Sequence, residues 1–123
     1  MEFSNDRPIY RQIVDYAFAR ILDGEWQPDA RVPSVRELAT AMAVNSHTVL
    51  KAYDALERLG VIASRRGMGF FLAADARSKI LAEERREFFD VTLSNLFNRM
   101  ETLGIGIDDV VYGYLNRNKK CPQ

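Results

Sequence analysis

One cysteine and one histidine stand among 123 residues, which removes most thiol and metal chemistry at the outset. Cys121 alone can form neither an internal disulfide nor a cysteine-based zinc cluster, and beside Pro122 it reads as a terminal thiol rather than a nucleophile. There is no glycine-rich phosphate loop and no carboxylate–histidine cluster with metal spacing, so no catalytic residue, metal site or cofactor is expected. An excess of charge of one sign is also missing. With 17 Lys+Arg against 17 Asp+Glu, no molecule-wide field attracts a polyanion, and any basic surface has to be local. No apolar run approaches the ~20 residues of a membrane helix, and "MEFSNDRPIY" lacks the basic start and apolar run of a signal peptide. The expected compartment is the cytoplasm, with no membrane partner. A hydrophobic share of 47% with 28% charged residues excludes a disordered chain.

What is present is a succession of helical rhythms. After Pro8, which suits an opening helical turn, Tyr10, Ile13, Val14, Ala17, Phe18 and Ile21 recur at three- and four-residue spacings, and Gly24 ends the pattern. "EWQPDARVP" is a connector with Pro28 and Asp29 as turn residues. Ser34 followed by Glu37 predicts a capping box, then a short helix with Leu38, Ala39 and Met42 inward. Ala43 and Val44 make a break. Asn45 caps the next helix, whose expected buried face is Val49, Ala52, Tyr53, Leu56 and Leu59, with Gly60 as its stop. Two helices joined by so short a turn form a helix-turn-helix unit.

"VIASRRGMGFFL" predicts a hairpin from Val61–Ser64 and Phe70–Leu72, with glycines at the turn. The fold class is therefore mainly α: a winged helix-turn-helix of three helices and a hairpin wing over 1–73, against the alternative of a helical domain with an incidental hairpin. A second region, 74–123, is expected to be a two-helix dimerisation tail. Phe89, Leu93, Leu96, Met100 and Leu103 follow the 4-3-4-3 seam spacing, with Leu81 and Phe88 on an adjacent line. A last helix opens at Gly106, with Asp108 and Asp109 favourable near its start and Val110, Val111, Tyr114 and Leu115 on its apolar face. A second subunit, as a homodimer, is the simplest cover for these faces; the alternative is the last helix folding back over most of the stripe, and the two are compatible.

In a helix-turn-helix the N-terminal residues of the second helix meet base edges in the major groove. Here those are Ser46, His47 and Thr48, expected to be exposed, with Lys51 one turn on to reach a phosphate or guanine edge. Ser34 and Arg36 open the preceding helix, where free amides and a guanidinium suit a phosphate. Ser34 is equally well a cap alone, and Arg36 could pair instead with Glu37 or Glu57. Arg65 and Arg66 sit on the wing beside Gly67 and Met68, and Gly69 allows close approach to a backbone. Within 45–72, Lys51, Arg58, Arg65 and Arg66 outnumber Asp54 and Glu57. Double-stranded DNA is the expected partner.

The stretch from Pro8 to Leu72 resembles the winged-helix domain of GntR-family bacterial transcriptional regulators. The resemblance rests on Pro8-Ile9-Tyr10 with Gln12 and Ile13, Gly24 and Pro28, "PSVRELA" from Pro33 to Ala39, Thr48-Val49, Ala52-Tyr53, Leu56-Glu57, and Gly60 to Gly69. The short tail ending "METLGIGIDDVV" is similar to the YtrA subgroup. The resemblance implies a homodimeric repressor on an inverted-repeat operator, with DNA contacts at Arg36, at Ser46, His47 and Thr48, and at Arg66, Gly67 and Met68; the cap Asn45 is counted among the DNA-binding residues beside them. Three positions depart from the family's habit: Ser46 and Met68 stand where basic residues are common, and Phe70 where a small hydroxyl residue is frequent. These departures predict modest non-specific affinity. The alternative function is a winged-helix protein-interaction module, for which the apolar wing residues Met68, Phe70 and Phe71 speak. The tail is too short for a sugar or acid pocket of the ~300 Å³ typical of ligand sites, and no residue nominates an effector.

Overall fold

A computed structural model describes residues 3–119; Cys121 lies outside them. Six α-helices and one hairpin follow in the order α1 (Ile9–Leu22), α2 (Val35–Met42), α3 (Ser46–Arg58), β1 (Ile62–Arg65), β2 (Gly69–Leu72), α4 (Ala76–Glu87), α5 (Leu93–Leu103) and α6 (Ile107–Leu115), with a π-helical turn, Phe88–Thr92, between α4 and α5. The chain divides into two compact units, the first ending at Glu83 and the second beginning at Glu84.

The first unit is a winged helix-turn-helix. Its helices bury the stripes that their spacing dictates: Ile13, Val14, Ala17, Phe18 and Ile21 from α1, Leu38, Ala39 and Met42 from α2, and Val49, Ala52, Tyr53 and Leu56 from α3. Leu59, expected in that face, is instead 36% exposed. It caps α3, whose helical phase no longer holds there, and Val61 and Ile62 fill the core in its place. Trp26 and Val32 of the connector are also buried.

The wing is larger than a hairpin. Ile62, Ala63, Ser64 and Arg65 pair antiparallel with Leu72, Phe71, Phe70 and Gly69. The connector then adds a bridge, Arg31 to Phe71, flanked by Val32 N–H to Phe70 C=O and Leu72 N–H to Ala30 C=O, both 2.9 Å. The turn before this bridge has Pro28 second and Asp29 third, with Asp29 at φ +65° and the Ala30 amide donating to the Gln27 carbonyl at 3.1 Å. That is the type II arrangement.

The expectation placed the boundary after residue 73. The first unit runs on through Glu83 because Ala76 and Ile80, on α4, are buried in its core.

In the second unit no residue of the π turn, α5 or α6 is buried. Gly104 ends α5 at φ +69°, and the Gly106 amide donates to Asp109 Oδ2 at 3.1 Å as α6 begins. Phe88, Phe89, Leu96, Leu103, Val111, Tyr114 and Leu115 are exposed, and Leu93 and Met100 half-buried. A last helix folded back to shield most of the stripe is therefore not what the chain adopts. The π turn also changes the register of the seam. Leu93 N–H donates to the Phe88 carbonyl, five residues back rather than four. That extra residue turns the helix by roughly 100° relative to an uninterrupted one, so Phe88 rather than Phe89 stands directly over Leu93.

Candidate nucleic-acid interface

The turn between α2 and α3 is fixed by hydrogen bonds that end one helix and begin the next. Ala43 adopts the left-handed conformation (φ 57°, ψ 47°), and the Val44 amide returns to the Ala39 carbonyl at 3.0 Å. Asn45 Oδ1 then accepts from the His47 amide at 2.7 Å, and its carbonyl accepts from Thr48 at 3.0 Å. Asn45 is thus a structural cap. Ser46 and His47 are exposed at the first turn of α3; Thr48, expected to be exposed, is half-buried.

Tyr53 locks the two helices at a set angle. It is fully buried, and its hydroxyl donates to the Pro33 carbonyl at 2.6 Å, one residue before the cap of α2. Burial raises the phenol's pKa, so it stays a donor at any physiological pH. At the start of α2, Ser34 Oγ accepts from the Glu37 amide at 3.0 Å while Glu37 Oε1 accepts from the Ser34 amide at 2.8 Å. The Ser34 amide, and then its side chain, hold the Glu37 carboxyl below its usual range. The amides of Val35 and Arg36 have no intrahelical acceptor, as at any helix start. Arg36 is exposed and, among the described residues, pairs with neither Glu37 nor Glu57.

Lys51 is where the sequence-based picture needs most adjustment. Its ammonium lies 4.3 Å from the centroid of the Tyr10 ring, so it is held against α1 rather than extended toward solvent. The wing tip carries Arg66 and Gly67, the latter at φ +72° as the turn closed by Met68 N–H to Arg65 C=O (2.8 Å) requires. Arg65 lies over Phe71, its guanidinium carbon 3.9 Å from the ring centroid. Phe70 packs edge-on against Tyr53 at 5.2 Å, and Met68 is 58% exposed.

The balanced charge resolves into two populations of cation. Arg7 pairs with Asp15 at 2.6 Å, Arg20 with Asp23 at 2.8 Å, Lys79 with Asp75 at 3.4 Å and Arg86 with Asp90 at 3.1 Å. Arg77 donates to the Leu22 carbonyl at 2.8 Å. By contrast, the guanidiniums of Arg31, Arg36, Arg65 and Arg66, like those of Arg58 and Arg99 elsewhere, make no ion pair or hydrogen bond among the described residues. The first four belong to the connector strand, the start of α2 and the wing. Arg31 is the residue that sequence reasoning missed; its signal, a basic residue just before "VPS", has no spacing rule attached to it. Elsewhere on this unit a groove of about 250 Å³ is lined by Ile21, Trp26, Pro28, Leu72 and Ala76, with its polar members Asp23 and Arg77 already engaged.

Comparison with known proteins places this arrangement. Residues 9–72 match the family described as "Bacterial regulatory proteins, gntR family". The chain is 35% identical to the uncharacterised HTH-type transcriptional regulator YhcF of Bacillus subtilis, over 91% of each protein. It is 42% identical to the HTH-type transcriptional repressor YtrA of the same organism, over 60% of this chain and 57% of that one. The crystal structure of a GntR-family regulator from Bacteroides thetaiotaomicron superposes with a TM-score of 0.78 at 34% identity, covering 91% of this chain and 97% of that one. The DNA-binding domain of AraR, solved with operator ORR3, matches with a TM-score of 0.54 at 30% identity, over 59% of this chain and 88% of that one. No helix among the described residues is long and apolar enough to cross a membrane. The chain belongs to the GntR family of bacterial DNA-binding transcriptional regulators.

Proposed function

We propose that the protein is a cytoplasmic homodimeric repressor that binds an inverted-repeat operator, without a cofactor. The observation that carries this reading is the set of unengaged side chains around the helix-turn-helix: Ser46 and His47 on α3, Arg36 at α2, and Arg66 on the wing, whereas Ser34 is occupied by its capping box with Glu37. Ser46, His47 and Thr48 reach base edges in the major groove, Arg36 and the α2 amides take a phosphate, and Arg66, Gly67 and Met68 follow the adjoining backbone or minor groove. Met68 has no charge to offer and acts as an apolar wedge. Lys51 joins the contact only by leaving Tyr10, which costs about 0.5–1 kcal/mol at an exposed site. AraR, a relative at 30% identity, is solved on its operator.

The second unit supports the dimer. Exposed Phe88, Leu96, Leu103, Val111, Tyr114 and Leu115 leave an apolar surface of a kind that marks protein association. Two copies joined by it present two recognition helices to half-sites about one or more turns of ~10 bp apart. Of the three apolar wing residues that speak for a protein-docking wing, Phe70 packs on Tyr53 and Phe71 lies beneath Arg65, which leaves Met68.

A salt series separates the functions. Binding to duplex DNA weakens steeply as salt rises, because phosphate neutralisation releases counterions. Binding to no duplex even in dilute buffer would overturn the proposal in favour of a protein-interaction module.

A further inference from the structure

The outward face of the wing is built from two strands and the connector, and the pairing fixes which side chains share it. Directly paired residues in an antiparallel ladder point to the same side, and so do residues two apart. Arg31 pairs with Phe71, Phe71 with Ala63, and Arg65 with Gly69. Arg31, Ala63, Arg65, Gly69 and Phe71 therefore share one face, while Ile62 and Leu72 point into the core from the other. None of these five residues is acidic, although the Glu37 carboxylate lies within electrostatic reach of Arg31.

Two guanidiniums converge there from different parts of the chain. Arg65 is held over Phe71, a contact that uses the ring's π-face and leaves its N–H donors unengaged. Arg31 lies across Gly69: a Cβ at that glycine, whose φ is +100°, would stand 3.0 Å from Arg31 Nε. The backbone angle favours glycine at residue 69, and a Cβ there would crowd the Arg31 side chain, which would have to shift by a few tenths of an ångström. Arg31 also lies close enough to Glu37 to favour its ionised form, yet makes no ion pair with it. It stands between the start of α2 and the wing.

We propose that Arg31 and Arg65 form a phosphate-binding pair that grips the sugar–phosphate backbone beside the wing, and that this pair compensates for the neutral Ser46 and Met68. The inference rests on the DNA-binding function above. Guanidinium N–H groups arranged as a fork suit phosphate oxygens, and both arginines are already positioned without consuming a donor. Such contacts set affinity for every sequence alike and specify none.

The test is binding of the full chain to a mixed-sequence duplex across a salt series. Arg31→Ala and Arg65→Ala should each lower the slope of log K against log salt by about 0.9, the value for one phosphate contact. Between 50 and 200 mM salt each variant would then lose about threefold less affinity than the parent. Arg58→Ala, an equal loss of charge at the far end of α3, should leave the slope unchanged. Arg31→Lys should keep the slope and bind more weakly. A parental slope in Arg31→Ala, or an equal drop in Arg58→Ala, overturns the pair while leaving DNA binding intact. Absence of salt-dependent binding in the parent overturns both.

Discussion

Ala43 holds a conformation that glycine adopts freely and alanine does not, at φ 57° and ψ 47°. A left-handed residue with a Cβ is disfavoured by roughly 1–2 kcal/mol, and glycine gives back part of that through the greater freedom of its unfolded chain. Ala43→Gly should therefore stabilise the protein by about 0.5–1 kcal/mol, read as a higher midpoint in thermal denaturation. A lower midpoint would show that the Cβ has a packing role that its exposure does not suggest. At this scale, what the sequence reveals depends on how far apart two partners lie. Asn45 as a cap is legible because its acceptor and the His47 amide are two residues apart. Tyr53 is legible as a core residue from its helical spacing. Its bond to the Pro33 carbonyl, across 20 residues, is not, because only the folded chain brings them together. The left-handed Ala43 is hidden for a different reason: alanine is a strong helix former, so its identity argues against the conformation it takes.

The elements show the same division. The capping box of α2 is readable from Ser34 and Glu37, and it makes a pH prediction. The Glu37 carboxyl is held below its ordinary value of 4.5 by the Ser34 amide and side chain. The ionised form is therefore favoured in the folded state, a contribution fully present above pH 4.5 and lost as pH falls through the lower folded value. Glu37→Gln keeps a capping side chain and removes the titration. The difference in thermal midpoint between parent and variant should shrink below pH 4.5; a difference that widens on acidification would contradict the assignment. The connector strand is not readable, because a single bridge at Arg31 leaves no alternation in "EWQPDARVP" to detect. The π turn is invisible for a related reason. Phe89, Leu93, Leu96, Met100 and Leu103 fit an uninterrupted helix by spacing alone, and only the Leu93-to-Phe88 bond shows the register to be shifted.

For the whole molecule, zero net charge is misleading as a guide to partners. Arginines such as Arg7 and Arg20 are neutralised by acids near them in space, whereas Arg31, Arg36, Arg65 and Arg66 are not. Counting charges cannot reveal this; Arg7 and Asp15 meet across eight residues only once α1 has formed. The winged helix is legible as a fold because each element announces itself locally. What covers the second unit is not, since an apolar stripe reads alike whether its partner is the same chain or a copy. The proposed dimer predicts that Leu96→Asp, a charge at a position 41% exposed in the single chain, shifts the protein toward monomer in sedimentation without lowering its helix content. A variant that remains dimeric at micromolar concentration would remove Leu96 from the seam. Base recognition by the Ser46 end of α3 is the claim on which the rest stands. Selection of bound sequences from a random duplex pool, with parent and His47→Ala proteins side by side, tests it most directly. The parent should enrich a two-fold symmetric motif, and His47→Ala should change the preferred bases within each half-site. Enrichment of no motif, or of an identical one by both proteins, would contradict it.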